Sequence, residues 1–161
     1  MFTRVALAMI VAATVAAPAG RAQSSRATAV LHFQVIEADG FTARDPAIQD
    51  VEKALRSLFK FNGYRLAADA MVRVTSGSKF EQMVVGEDET TAFRIQGEIG
   101  EILEKPGAGT VPMRVELWAG NSIKALTTSV IVPFGQTVVV GTAKPIAKRA
   151  ALILVVRPTA N

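Results

Sequence analysis

Hydrophobic and polar residues alternate with period two along most of this chain, and one stretch near the start takes up helical spacing instead. Between residues 29 and 37, Leu31, Phe33 and Val35 fall on one face, and His32, Gln34 and Glu37 mostly on the other. That alternation predicts a half-buried strand, closed by Asp39-Gly40. The helix follows. Asp45 is placed to cap it, because its carboxylate can accept from an orphan backbone N–H. Pro46 suits the first helical position, where no backbone donor is needed. Ile48, Val51, Leu55, Leu58 and Phe59 form one apolar stripe, opposite Gln49, Lys53, Arg56 and Lys60. Asn62-Gly63 is expected to end the helix, with Gly63 in the left-handed cap conformation.

Beyond Gly63 the pattern is that of strands. Tyr64, Leu66, Val72 and Val74 share one register, Ser76-Gly77-Ser78 is a tight turn, and residues 80–85 return. Gly86-Glu87-Asp88-Glu89 is an acidic loop, and residues 91–99 alternate Phe93 and Ile95 with Arg94 and Gln96. Pro106-Gly107-Ala108-Gly109 is a second loop. Val111, Met113, Val115 and Leu117 then alternate with Pro112, Arg114, Glu116 and Trp118. Gly120-Asn121 signals a hairpin into residues 123–132, and Pro133-Phe134-Gly135 a further turn. Residues 137–140 form a short strand, and 150–156 the most apolar one. The sum is an α+β domain in which one amphipathic helix packs on a mostly antiparallel sheet of about seven or eight strands.

The N-terminus has a different organisation. Arg4 precedes an apolar run from Val5 to Ala17, which Pro18 and Gly20 interrupt before a stretch of small residues. This is the layout of a secretory signal peptide. Cleavage is expected after Ala22, leaving the polar start Gln23-Ser24-Ser25; Ala19 is the other fitting site. The run is shorter than the roughly 20 residues that span a bilayer. The expected organisation is a signal peptide over 1–22 and a single exported domain over 23–161, periplasmic or secreted.

Composition narrows the chemistry. With no cysteine, thiolate catalysis, cysteine–zinc sites, iron–sulfur clusters and disulfide scaffolds are excluded. The net charge of +4 includes Arg4 and Arg21, which leaves too little positive charge for a nucleic-acid-binding domain. Every acidic residue lies at or before Glu116, whereas Lys124, Lys144, Lys148, Arg149 and Arg157 follow it. This basic final third suits either ordinary surface solvation or a face toward an acidic partner, nucleic acid or anionic lipid headgroups.

The only histidine is His32, on the polar face of its strand, and no nucleophile elbow or triad signature accompanies it. The consecutive acids Glu87, Asp88 and Glu89 lack the spacing and internal glycine of a calcium loop. Glu98, Glu101 and Glu104 would share a face only on a helix, and the sequence before them is strand-like. Neither a phosphate-binding nor a dinucleotide-binding glycine motif is present. No catalytic residue, metal site or cofactor is expected.

Trp118 stands out instead, because it lies on the polar register of its strand beside Arg114 and Glu116. Tryptophan and arginine are enriched at interface hot spots, so Trp118, Arg114 and Glu116 are the candidate binding residues. The other reading of Trp118 is a core residue beneath a helix or a second sheet.

The tail carries a family resemblance. Thr128-Ser129-Val130-Ile131-Val132-Pro133-Phe134-Gly135-Gln136-Thr137-Val138-Val139-Val140-Gly141, with Ala151-Leu152-Ile153-Leu154-Val155-Val156-Arg157-Pro158, resembles the closing strands of bacterial outer-membrane secretins. Residues 48–66 resemble in outline the helix–strand unit of the modules that precede the secretin barrel. Thr142 stands where that family usually has a second glycine. The resemblance implies an envelope protein, secretin-like or accessory to secretion or pilus assembly, with possible outer-membrane association without a transmembrane helix. The expected function is thus non-enzymatic protein–protein contact, with a protein partner or by self-association. The alternative is a soluble periplasmic ligand-binding module with a pocket between helix and sheet.

Overall fold

A computed structural model describes residues 26–38, 44–86, 89, 91–105, 108–120, 122–143 and 150–160. The signal peptide, Asp39-Gly40, Glu87, Asp88, Pro106-Gly107, Asn121, Lys144, Lys148 and Arg149 lie outside the described residues. The strands are β1 (Thr28–Ala38), β2 (Tyr64–Thr75), β3 (Lys79–Val85), β4 (Ala92–Ile99), β5 (Thr110–Ala119), β6 (Ile123–Pro133), β7 (Val138–Ala143) and β8 (Ala151–Ala160). A short 3-10 turn, Pro46–Ile48, leads into the helix α1 (Gln49–Leu58). This is the α+β fold with one helix and antiparallel strands that the periodicity predicts.

The strands form two sheets rather than one. The first has the order β2-β1-β8-β7 and the second β3-β4-β5-β6. Every ladder is antiparallel. Consecutive strands pair except between β2 and β3 and between β6 and β7, where the chain passes from one sheet to the other, and β1 pairs with the last strand, β8. The turns need glycine. Gly77, Gly120 and Gly135 have φ of 73°, 67° and 74°, a region costly for a side chain bearing Cβ.

Between the sheets lies an apolar core that includes Leu31, Phe33, Val35, Phe93, Ile95, Val115, Leu117, Leu154 and Val156. A second core lies on the outer side of the first sheet, where Ile48, Val51 and Leu55 of the helical segment pack on Ile36, Tyr64, Leu66 and Ile153. Each such side chain contributes about 1.5–3 kcal/mol when fully buried. β8 therefore has apolar side chains on both faces, which explains its unbroken hydrophobic run.

One residue divides β2 between the two cores. Val35 pairs with Ala68 and Ile36 with Leu66, so Ala67 is the extra residue of a β-bulge. Tyr64 and Leu66 consequently face the helix, while Ala68, Ala70 and Val74 face the other sheet. The single register read for Tyr64, Leu66, Val72 and Val74 thus spans two faces.

Asp45 anchors the helical segment at both ends of its carboxylate. Oδ1 accepts from the Ala47 N–H at 2.9 Å, and Oδ2 from the Leu66 N–H at 2.8 Å, tying the cap to β2. The C-terminal end differs from expectation. The helix stops at Leu58, Phe59 is extended, and Gly63 does not have positive φ. The Tyr64 hydroxyl instead donates to the carbonyls of Leu55 and Phe59, at 3.2 and 3.0 Å. Burial pushes the Tyr64 phenol above its ordinary pKa, against smaller opposing effects of its backbone hydrogen bond and of Arg56.

Candidate functional site

The helix covers part of the first sheet and leaves the outer face of the second sheet uncovered. On that face the side chains stand in rows set by strand register. Met83, Arg94, Trp118 and Lys124 form one row, Glu81, Gln96, Glu116 and Thr127 the next, and Lys79, Glu98, Arg114 and Ser129 the third. Trp118 is half-buried and outward-facing, while its neighbour Leu117 points into the core.

Trp118 is held from both flanking strands. The guanidinium carbon of Arg94 on β4 lies 4.5 Å from the centre of its ring, and Lys124 Nζ on β6 lies 4.9 Å away. Cations over an indole face gain from the ring quadrupole. Arg94 Nε is buried without a hydrogen-bond acceptor among the described residues, so the ring face is what offsets its lost hydration. The indole Nε1–H donates to Glu116 Oε2 at 3.3 Å. Gln96 Nε2 donates to the same oxygen at 2.9 Å, and Lys124 Nζ lies 3.1 Å from the carboxylate. The hydrogen bond from Lys124, then that from Gln96, holds the Glu116 carboxyl below the usual carboxylate range.

The three candidate residues are therefore on one face but not in one cluster. Glu116 contacts Trp118 directly. Arg114 is exposed one row further, opposite Glu98. Glu98 in turn makes a 2.7 Å ion pair with Lys79, which lowers the Glu98 pKa and raises that of Lys79. Lys79, Glu81, Gln96, Glu98, Arg114 and Glu116 line an open groove of about 590 Å³ that crosses these rows. Arg94 and Lys124 were missed as partners of Trp118, and Gln96 as a partner of Glu116. Arg94 and Gln96 were visible as the polar register of their strand, but only the β4–β5 pairing shows which residue each one faces.

Elsewhere, His32 lies on the outer face of the first sheet with its ring nitrogen 3.4 Å from Asp69 Oδ2. Among the described residues, no three His, Asp or Glu side chains cluster as a metal ion would need, and no helix is long and apolar enough to cross a membrane. The space between α1 and its sheet is occupied by Ile48, Val51 and Leu55.

No family model matches the sequence, and no curated protein matches it. Among solved structures, the chain is similar to the secretin InvG of the Salmonella SPI-1 type III secretion injectisome in its open-gate state, residues 176 to the end. The identity is 9%, the TM-score 0.39, and the match covers 84% of this chain and 61% of the secretin chain. A likeness this loose transfers neither fold nor function. The tail from Thr128 to Pro158 contributes β6 to one sheet and β7 and β8 to the other.

Proposed function

We propose that this is an exported, non-enzymatic protein of the bacterial cell envelope that works by protein–protein contact through the outer face of its second sheet. One observation carries the reading. A tryptophan clamped between Arg94 and Lys124 stands half-exposed on a face that neither the helix nor the other sheet covers. Rigid aromatic–arginine pairs of this kind are typical anchors of interfaces. The secretin-like tail strands support a role in secretion or pilus assembly as the setting, and the signal-peptide layout of 1–22 supports export. N-terminal sequencing of the protein recovered from the envelope is expected to begin at Gln23.

The test is photocrosslinking in living cells, with the probe placed at Thr127 on this face or at Arg73 on the outer face of the first sheet. The Thr127 probe should give a discrete adduct that Trp118→Ala removes, and the Arg73 probe should not. Equal adducts from both faces, or none from Thr127, would count against the reading.

The groove lined by Lys79, Glu81, Gln96, Glu98, Arg114 and Glu116 supports a second reading, a polar small ligand held by both carboxylates and cations. That reading predicts saturable ligand binding that Glu116→Gln weakens and that leaves the Thr127 adduct unchanged.

A further inference from the structure

β3 pairs with β4 on one side only and forms one edge of the second sheet. Two hydrogen bonds just beyond its ends fix which backbone groups that edge displays. Gly86 N–H donates to the Thr91 carbonyl at 2.6 Å, and Ile99 N–H donates to the Ser78 carbonyl at 2.8 Å. Both pairs continue the β3–β4 register without a break. In an antiparallel ladder, hydrogen-bonded pairs alternate with non-bonded ones. Even-numbered residues of β3 therefore turn their N–H and C=O toward β4, and Lys79, Glu81, Met83 and Val85 turn theirs toward the open edge. One of these edge acceptors is already engaged by a side chain, since Gln82 Nε2 donates to the Met83 carbonyl at 3.0 Å.

The side chains of β3 are unfinished on both faces. On the inner face, Phe80, Gln82 and Val84 are only half-buried, whereas Phe93 and Ile95 on the adjoining β4 are 1% and 0% exposed. On the outer face, Met83 is 47% and Val85 65% exposed. A further strand along this edge would satisfy the backbone groups and cover apolar side chains on both faces. Strand addition to a free edge works in this way, with main-chain bonds giving affinity and alternate side chains giving specificity.

Charge defines the occupant. Lys79 is already paired with Glu98 at 2.7 Å, while Glu81 forms no ion pair among the described residues. A second copy of β3 fits poorly. A two-fold axis at Glu81 sets Glu81 against Glu81. An axis midway between Glu81 and Met83 sets Lys79 against Val85 and Glu81 against Met83. An axis at Phe80 pairs Lys79 with Glu81 but leaves Met83 and Val85 beyond the ladder. An axis at Met83 sets Glu81 against Val85, and one at Val84 pairs Met83 with Val85 but leaves Lys79 and Glu81 beyond the end of the partner strand, with no cation opposite Glu81. We infer that β3 is the docking edge for an extended segment of a different protein, added antiparallel as a fifth strand, with a basic residue opposite Glu81 and apolar residues opposite Met83 and Val85. The inference rests on the protein-contact reading above and names a second element of the same sheet.

The experiment uses fluorescence anisotropy on the mature protein with the labelled peptide Val-Thr-Ile-Thr-Lys-Thr-Thr, whose Val, Ile and Lys lie opposite Val85, Met83 and Glu81. N-methylation of Val, Ile and Lys removes the donors aimed at the edge and should weaken binding at least about ten-fold. N-methylation of the intervening Thr residues should leave it nearly unchanged. Replacing the peptide Lys by Glu should weaken binding to the wild type, and Glu81→Lys should reverse that preference. The reversed-order peptide should bind more weakly. Absence of saturable binding, equal loss from both methylation patterns, or unreversed charge preference overturns the inference. Trp118→Ala separates the two readings, since it should leave peptide binding intact while removing the Thr127 adduct. If the adduct behaves as expected and the peptide does not bind, strand addition fails and the contact face stands. If the Thr127 adduct is absent as well, both fail.

Discussion

Arg94 and Trp118 are directly opposed on β4 and β5, and the guanidinium carbon of the one lies 4.5 Å from the ring centre of the other. The pair gives the outer face of the second sheet a fixed apolar-cationic centre. A stacked guanidinium has fewer rotamers to lose on binding than a free one, which is the advantage of pre-organisation.

A double-mutant cycle of Arg94→Ala and Trp118→Ala, followed by urea unfolding, should therefore show a coupling energy of about 0.5–1 kcal/mol. Both single variants should fold, because Trp118 lies outside the core. Loss of folding on Trp118→Ala would show instead that the ring is a structural element.

The Glu116 carboxylate makes this centre sensitive to acid. Its pKa is depressed in the folded state, so its contribution to stability is complete above the ordinary value of 4.5 and is lost as pH falls through the lower, folded-state value. Trp118 is the only tryptophan, so its fluorescence reports on the site. Emission should stay constant from neutral pH down to the ordinary carboxylate range and change below it. Glu116→Gln should abolish that acid transition.

Asp45 satisfies two backbone donors, one in the 3-10 turn and one in β2. Asp45→Ala should destabilise the protein by about 2 kcal/mol, because a helical cap and a charge-assisted bond are lost together. Asp45→Asn should recover part of this, measured by thermal unfolding.

Gly97 on β4 faces inward against Phe80, and a Cβ there would meet the Arg114 carbonyl oxygen and, at 2.9 Å, Cε1 of the Phe80 ring. Gly97→Ala should cost about 1–3 kcal/mol by overpacking. Because Phe80 stacks on Phe33 with ring centres 5.6 Å apart, the near-ultraviolet circular dichroism should change as well.

The helix start at Asp45-Pro46, the eight strands and the turns at Gly77, Gly120 and Gly135 were all legible in the sequence. Each depends on local chemistry, either a capping side chain, a period of two, or a backbone angle that glycine tolerates. The end of the helix was not legible. Gly63 offered a local stop, but the Tyr64 hydroxyl reaches back to the Leu55 and Phe59 carbonyls once β2 is in place.

Trp118 itself could be singled out because it broke the apolar alternation of β5, whereas its partners Arg94 and Lys124 lie 24 residues before and 6 after it and meet it only through ladder register. The sequence by itself determined which residues alternate and where the chain turns, since those follow from neighbours along the backbone. Only the tertiary structure decided that the strands divide into two sheets, that the bulge at Ala67 sends the two halves of β2 to different cores, and that the helix covers one sheet and leaves the other bare. These are properties of pairing and packing between distant segments, and periodicity along one strand carries no information about which strand lies beside it.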